Sequence, residues 1–502
     1  MDMRSRRRLG LLAILSLAFA YASLAQGIGW NQNAHYALVR ALAHGTAIVD
    51  PYRRETGDVA WYHGHYYSTK APGLALVTTP VYVALDRLGV LGLLGRLPGA
   101  SSSTVGALWA LGLVGCVLPA LLILLLVRRL GDELEPGLGA AAAVAAGVGT
   151  LLLPFATLFF DHVLSAALGF SAFALLWLHR HPFAALAAGV LAGFAVTTEY
   201  PLALVAAALA VYSVVRGLRA ALAYGTGALV GLVPLAAYNW WAFGSPLHVS
   251  YQDAVARGGI SGHDVLGANA HGFYGVGWPR FRTAVELLFS HTGLVTLTPI
   301  VAIGAVGAVL LYRRGLRAEA CVIGGLGVAF VVYNSGYVDP FGGWSPGPRF
   351  LVPVLPFLAV PLVLSYRRLP LTTTALAAAS AFFMIAVTIT GPVLAHDGRY
   401  LDRIRDGSFA GHGVLPVIPF LVLVSVAVVV ATRATPLRPG RAEIPTAALA
   451  TGGWALVALA GPRLLDEGAG VVALLAVAVA IAVLALTSFV PPAPRTRSAT
   501  RP

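Results

Sequence analysis

The chain has 502 residues, of which 58% are hydrophobic and only 11% charged, and its mean hydropathy is +0.79. A soluble domain carries about 25% charged residues, so this composition excludes one and points to a polytopic protein whose long apolar runs favour α-helical spans over a β-barrel. The net charge of +13 does not mark a nucleic-acid binder, because the arginines cluster between apolar runs, where they report topology.

In chain order, MDMRSRRR followed by LGLLAILSLAFAYASLAQ has the outline of a signal peptide. The run to Gly29 is long enough to span a bilayer, however, and reads as an uncleaved first helix. Further spans are expected near 104–127, 136–157, 161–178, 183–199, 201–215, 220–242, 293–312, 318–335, 350–365, 371–393, 413–432, 445–461 and 469–490, about fourteen helices with the first at 9–27. The expected fold is therefore an all-α polytopic membrane protein. It divides into an N-terminal module, 1–243, which includes an outer loop at 28–103; central helices and outer loops, 244–412; C-terminal helices, 413–490; and a basic, Pro-rich, disordered tail, 491–502.

The charges agree with this map. With both termini in the cytoplasm, the inner segments hold twenty cations against six acids, a net of +14, and the outer segments fourteen against fifteen, a net of −1. Residues 72–85 (PGLALVTTPVYVAL) are too short to cross and contain Pro80, so they are read as an interfacial or re-entrant helix on the outer side. Amphipathic helices are also expected over Asn33 to His44 and Trp278 to Phe289, lying in the interface.

The most informative stretch is polar: WNQNAHYALVRALAHGTAIVDPYRRETGDVAWYHGHYYSTKAPG, from Trp30 to Gly73. It gathers Asn31, His35, Asp50, Glu55, Asp58, five tyrosines and Lys70, the only lysine in the chain. A long loop this rich in titratable groups marks function. Ionisable residues at membrane depth do the same. Asp161-His162 opens a helix after an aromatic run, where Asp161 also suits a helix cap. Glu199 sits in TTEYP at a break between two apolar runs, and such a break lines a cavity or acts as a hinge. Trp344 and Arg349 stand in GYVDPFGGWSPGPRFLVPVLPF, where Arg suits a phosphate and Trp a sugar face or the membrane interface. His63 and His65 in H-G-H, with His35, hint at a metal, but no third ligand follows. Cys116 and Cys321 lie in apolar runs and read as small buried hydrophobes. P-loop, Rossmann and hydrolase motifs are absent from the sequence.

This layout resembles the GT-C superfamily of integral-membrane glycosyltransferases, close to the protein O-mannosyltransferase and aminoarabinose-transferase type. The resemblance rests on an N-terminal helix, an outer loop whose short helix ends in Ala41-Leu42-Ala43-His44-Gly45, the segment GHYYSTKAPGLAL, the acid in FFDH at Asp161, and WSPGPRFLVPVLPF. It implies transfer of a hexosyl or pentosyl unit from a polyprenyl-phosphate-linked sugar to a lipid, glycan or protein acceptor at the outer face of the plasma membrane. A loop carboxylate would act as base and basic residues would hold the phosphate. The family's early acid is replaced here by Asn31-Gln32, and a carboxamide cannot take a proton. The expected assignments are therefore Asp58 and Asp161 as catalytic carboxylates, with Lys70 and Arg349 on the donor phosphate. Asn31, His35, Tyr66, Tyr67, His162, Glu199 and Trp344 are expected to contact sugar or acceptor. Neither a metal nor another cofactor is expected, since Lys and Arg can neutralise the phosphate. The alternative is a transporter or flippase of a lipid-linked saccharide, which calls for pseudo-symmetric halves and broken helices.

Overall fold

The computed structural model describes residues 2–96, 100, 102–254, 275–409, 415–437 and 440–466. The elements that position the site are α1 (Met3–Ala22), α2 (Trp30–Ala43), the strands β1 (Val59–Tyr62) and β2 (His65–Ser68), and α3 (Gly73–Arg87). There follow α4 (Ser103–Leu134), α5 (Gly139–Gly149), α6 (His162–Leu178), α7 (Pro182–Thr198), α8 (Tyr200–Val215) and α9 (Leu218–Phe243). After a second outer segment come α10 (Phe281–Phe289), α11 (Ile300–Arg313), α12 (Arg317–Gly336), α13 (Arg349–Ala359), α14 (Leu362–Arg368), α15 (Pro370–Ile389), α16 (Val417–Ala434) and α17 (Ile444–Asp466).

Six of these helices are long and apolar enough to cross a bilayer, or eight if two bent pairs each count as one span. The chain is a multi-pass helical membrane protein. About fourteen spans were expected from the apolar runs, and among the described residues several of those runs are broken, bent or short. The expected 136–157 span is interrupted at Thr150, and four apolar helices, α5 to α8, are shorter than a full crossing. The expected 293–312 and 350–365 spans are bent by 89° and 55°, the first at Pro299, the second at Val360-Pro361. Proline lacks the N–H that would carry a helix through. The expected 469–490 span and the 491–502 tail lie outside the described residues.

Small residues decide how closely the helices approach. Every residue of α5, GAAAAVAAGVG, is buried. Elsewhere, α7 and α9 meet glycine to backbone: a Cβ on Gly189 would lie 2.0 Å from the Tyr224 carbonyl oxygen, and one on Gly227 would lie 2.0 Å from that of Leu186. Within a bilayer, where apolar surface gains nothing from association, such close packing is the attractive force between helices. The outer segments are less regular. Residues 59–68 form a two-stranded antiparallel hairpin, Val59 paired with Ser68 through Tyr62 with His65.

Replacing Gly227 by Leu is expected to lower the thermal midpoint of the purified protein in detergent, since overpacking costs about 1–3 kcal/mol. Gly225→Leu, whose Cβ would meet nothing within 4 Å, should leave it unchanged. Equal midpoints for both variants would contradict the packing.

Candidate active site

The hairpin brings the central acid and base together. Its two-residue loop is His63-Gly64, with φ of +46° and +91°, the left-handed pair that matches strand twist. This loop fixes the register so that Asp58, just before β1, faces Thr69, just after β2, and the Thr69 N–H donates to the Asp58 carbonyl at 3.3 Å. Lys70 is the next residue, and its Nζ lies 2.8 Å from Asp58 Oδ2, with both side chains largely buried. His63 is thus a turn residue and His65 the first residue of β2. His65 Nδ1 lies 2.8 Å from Asp50.

Neighbouring packing holds the pair in place. Thr56 Oγ1 donates to the Trp30 carbonyl at 2.7 Å and accepts from the Asp58 N–H at 3.0 Å. A Cβ on Gly57 would sit 2.5 Å from the Trp30 ring, so glycine lets the ring close over this turn. On the other side, a Cβ on Gly73 would fall 2.6 Å from Thr198 Cα. The Lys70-Ala71-Pro72 bend is thereby seated against the end of α7, beside Glu199. The first turn of α2 contributes Asn31, whose Oδ1 is buried without a partner among the described residues. The end of a helix with unpaired N–H groups adds a positive potential there.

A second polar group lies beside this one. The Asp161 side chain makes no capping bond to α6; it lies between two histidines, 3.7 Å from His35 Nε2 and 3.6 Å from His162 Nδ1. His162 Nδ1 is also 2.9 Å from Glu199 Oε1, off line for a hydrogen bond, while Ser165 Oγ donates to Glu199 Oε2 at 2.5 Å. Glu199 is 4% exposed, which rules out a surface hinge. Burial pushes His35 below the usual imidazole range, against the opposing pull of Asp161, so its ring is neutral at neutral pH. Asp161, His162 and Glu199 each present a ligand atom within 4.8 Å of the others, which makes them a candidate cation group among the described residues. The sequence reading weighed only the histidines and missed this set. Cys116 does more than fill space: its thiol reaches the Leu158 and Phe160 carbonyls at 3.0 and 3.5 Å, steadying the segment that carries Asp161.

Arg349 opens α13. Its guanidinium lies 5.5 Å from the Phe160 ring and 5.1 Å from that of Phe350, and its Nε is buried without a partner among the described residues. Gly342, at φ +83°, makes room for it, since a Cβ there would come 2.3 Å from Arg349 Nε.

Two adjoining cavities, of about 650 and 350 Å³, share the wall formed by Asn31, Lys70, Tyr251, Tyr337, Arg349 and Phe350. Asp58 and Trp344 face the larger; Asp161, His162 and Glu199 face the smaller. Of the expected residues, His35 is fully buried behind Asp161. Trp344 is 63% exposed at the rim, stacked 4.9 Å from His396. Tyr66 and Tyr67 line neither cavity, because strand alternation sends them to opposite faces of the hairpin. Tyr66 packs on Trp61 and Arg53, and Tyr67 on Tyr62 and Phe243. Sequence reasoning missed Tyr251 and Tyr337. Burial holds the Tyr251 hydroxyl well above the tyrosine range and pushes Tyr337 up to about 12, so both remain protonated donors. Tyr337 stands in the quoted GYVDPFGGWSPGPR segment but is not singled out there; Tyr251 carries no sequence signal.

Removing Lys70 alone leaves a largely buried carboxylate without its ammonium, a loss of about 3–5 kcal/mol. The double variant Asp58→Asn, Lys70→Met is expected to recover part of that stability in a double-mutant cycle read by denaturation. Strict additivity would argue against a coupled pair.

No family model and no curated protein matches the sequence. Among solved structures, the chain is similar to the oligosaccharyltransferase of Archaeoglobus fulgidus in the apo form (14% identity, TM-score 0.43), covering 89% of this chain and 58% of that one. It is also similar to ArnT from Cupriavidus metallidurans, in the apo state (17% identity, TM-score 0.44, 93% of this chain and 75% of that one) and bound to undecaprenyl phosphate (15%, 0.40, 92% and 75%). The chain thus spans little more than half the length of the oligosaccharyltransferase.

Proposed function

We propose that the chain is a glycosyltransferase of the plasma membrane that moves one hexosyl or pentosyl unit from a polyprenyl-phosphate donor to a lipid, glycan or protein acceptor. The reading places about fourteen spans in the membrane, both termini in the cytoplasm and the cavities at the outer face. The observation that carries it is the shared wall: Lys70 and Arg349, from opposite halves of the chain, flank a largely apolar cavity beside an ion-paired carboxylate. An apolar tail, a phosphate and a sugar ask for that combination.

In this reading the donor phosphate lies between Lys70 and Arg349, whose charges stabilise the anion that grows as the bond from the anomeric carbon to the phosphate oxygen breaks. The acceptor hydroxyl oxygen attacks that carbon, and its proton passes to a carboxylate. While the donor is absent Lys70 holds Asp58 in an ion pair. An arriving phosphate gives the ammonium a second anion, and sharing it leaves an Asp58 oxygen to accept the acceptor's proton. Asp161, held between His35 and His162, serves the smaller cavity, with Glu199 orienting His162. The polyprenyl phosphate departs with the electron pair of the broken bond. Two cations carry the phosphate charge, so the reaction requires no metal.

The test is transfer from a set of polyprenyl-phosphate sugars by the purified protein. Asp58→Asn, Asp161→Asn and Lys70→Ala are each expected to lower the rate by roughly 10²–10⁴-fold, with folding verified by gel filtration; wild-type rates in all three would remove the assignment. A chelator should leave the wild-type rate unchanged. A rate abolished by chelation and restored by a divalent ion would transfer the charge-neutralising role to Asp161, His162 and Glu199. The two bent helix pairs also suit a flippase, which would move labelled lipid-linked sugar across a vesicle bilayer without forming a new glycoside.

A further inference from the structure

At the opposite end of α1 from the cavities, a pocket of about 260 Å³ is lined by Arg6, Arg7, Arg128 and Arg129, together with Asp132 and Glu133. Four cations against two acids leave it positive by two. Both acids lie against the pocket's own arginines, Asp132 Oδ2 at 3.7 Å from Arg128 Nε and Glu133 Oε1 at 2.8 Å from Arg129 Nη2. Asp132 Oδ1 accepts the Gly137 and Gly139 N–H groups at 3.0 Å each, closing the turn into α5. The Glu133 pair is on the surface, where such a pair contributes little. The pocket is built rather than a chance meeting of side chains. Arg128 Nη2 donates to the Arg7 carbonyl at 2.8 Å, tying α1 to α4. A Cβ on Gly10 would lie 2.8 Å from that of Ala140, so α1 and α5 are in close contact at the pocket's edge.

Its depth fixes its surroundings. From Arg7 to Ala22 α1 rises about 22 Å, and the larger cavity begins beyond that end, at Gly27–Gln32; with α1 read as the first span, the arginines at its start fall at the headgroup level of the other leaflet. The helices that border the pocket also expose apolar side chains within two turns of it: Leu11 and Leu12 on α1 (40% and 53% exposed), and Val428 and Val429 on α16 (41% and 49%). A cationic recess at headgroup depth with apolar strips beside it fits a phosphodiester carrying acyl chains, and guanidinium forks match phosphate oxygens in pairs.

We propose that this pocket binds the phosphate headgroup of an anionic phospholipid in the leaflet opposite the catalytic cavities. The site is separate from sugar transfer and stands whether or not that reading holds. The bound lipid clasps the start of α1 to α4 and α16 and fixes the chain at its inner edge.

Purified full-length protein is reconstituted in nanodiscs containing equal amounts of phosphatidylglycerol and phosphatidylcholine, released, and weighed by native mass spectrometry. The wild type is expected to retain phosphatidylglycerol over phosphatidylcholine by about tenfold or more, and Arg6→Gln, Arg7→Gln together should abolish the preference. Arg129→Gln, a single exposed change, should weaken it even if the double variant is poorly recovered. Arg180→Gln, Arg219→Gln removes as much charge away from the pocket and should leave the preference intact. Equal retention of the two lipids by the wild type, or loss of preference in the control as well, overturns the site. Displacement of phosphatidylglycerol by millimolar inorganic phosphate would assign the pocket to a soluble anion and overturn the lipid.

Discussion

The ion pair between Asp58 and Lys70 is the constraint on which the outer half of the molecule depends. Two opposite charges this far from water lose several kcal/mol of solvation each, and only close geometry with further polar partners offsets that loss. The geometry comes from a short hairpin whose two-residue loop permits one register, which sets the acid and the lysine side by side at the open end of the ladder. Around that end, glycine lets neighbours close in. Trp30 covers Gly57, and Thr198 abuts Gly73. A slip of one residue would turn every side chain of the hairpin to its other face and part the two charges.

Behind the pair, polar groups run from His35 through Asp161 and His162 to Glu199 and Ser165 in a largely apolar helical protein. Their burial is expensive in a helical membrane bundle, and such groups persist where they face a cavity. The two cavities meet at Lys70 and Arg349, so a charged group placed in either would be felt in the other. Low dielectric strengthens that coupling relative to the same distances in water. The aromatic rings of Phe160 and Phe350 beside Arg349 keep its guanidinium poorly hydrated and receptive to an anion.

Much of this was legible in the sequence because it rests on local chemistry. Apolar runs marked where the helices lie, the isolated lysine and the WSPGPR arginine reached the shared wall, and the FFDH acid reached the smaller cavity beside it. What escaped depends on geometry that periodicity does not encode. Proline and threonine breaks turned expected spans into bent or short helices. Strand pairing within the outer loop took Tyr66 and Tyr67 away from the cavities and made His63 a turn. The opening of α2 three residues ahead of its expected start put Asn31 in the first turn rather than before it. The partnership of Glu199 with His162 joins residues from two helices, and Tyr251 lies in a segment with no motif, so neither could be read from spacing.

The wall also has an order of assembly. Asp58 and Lys70 are twelve residues apart, whereas Arg349 follows Lys70 by 279. At roughly 5–20 residues per second of synthesis, the ribosome needs about 14–56 s to deliver that arginine after the lysine has emerged. Once the hairpin forms, Asp58 and Lys70 have each other as partners. In the proposed reading the donor phosphate needs both cations, so a product truncated before Arg349 would carry the acid and the ammonium and hold the anion poorly.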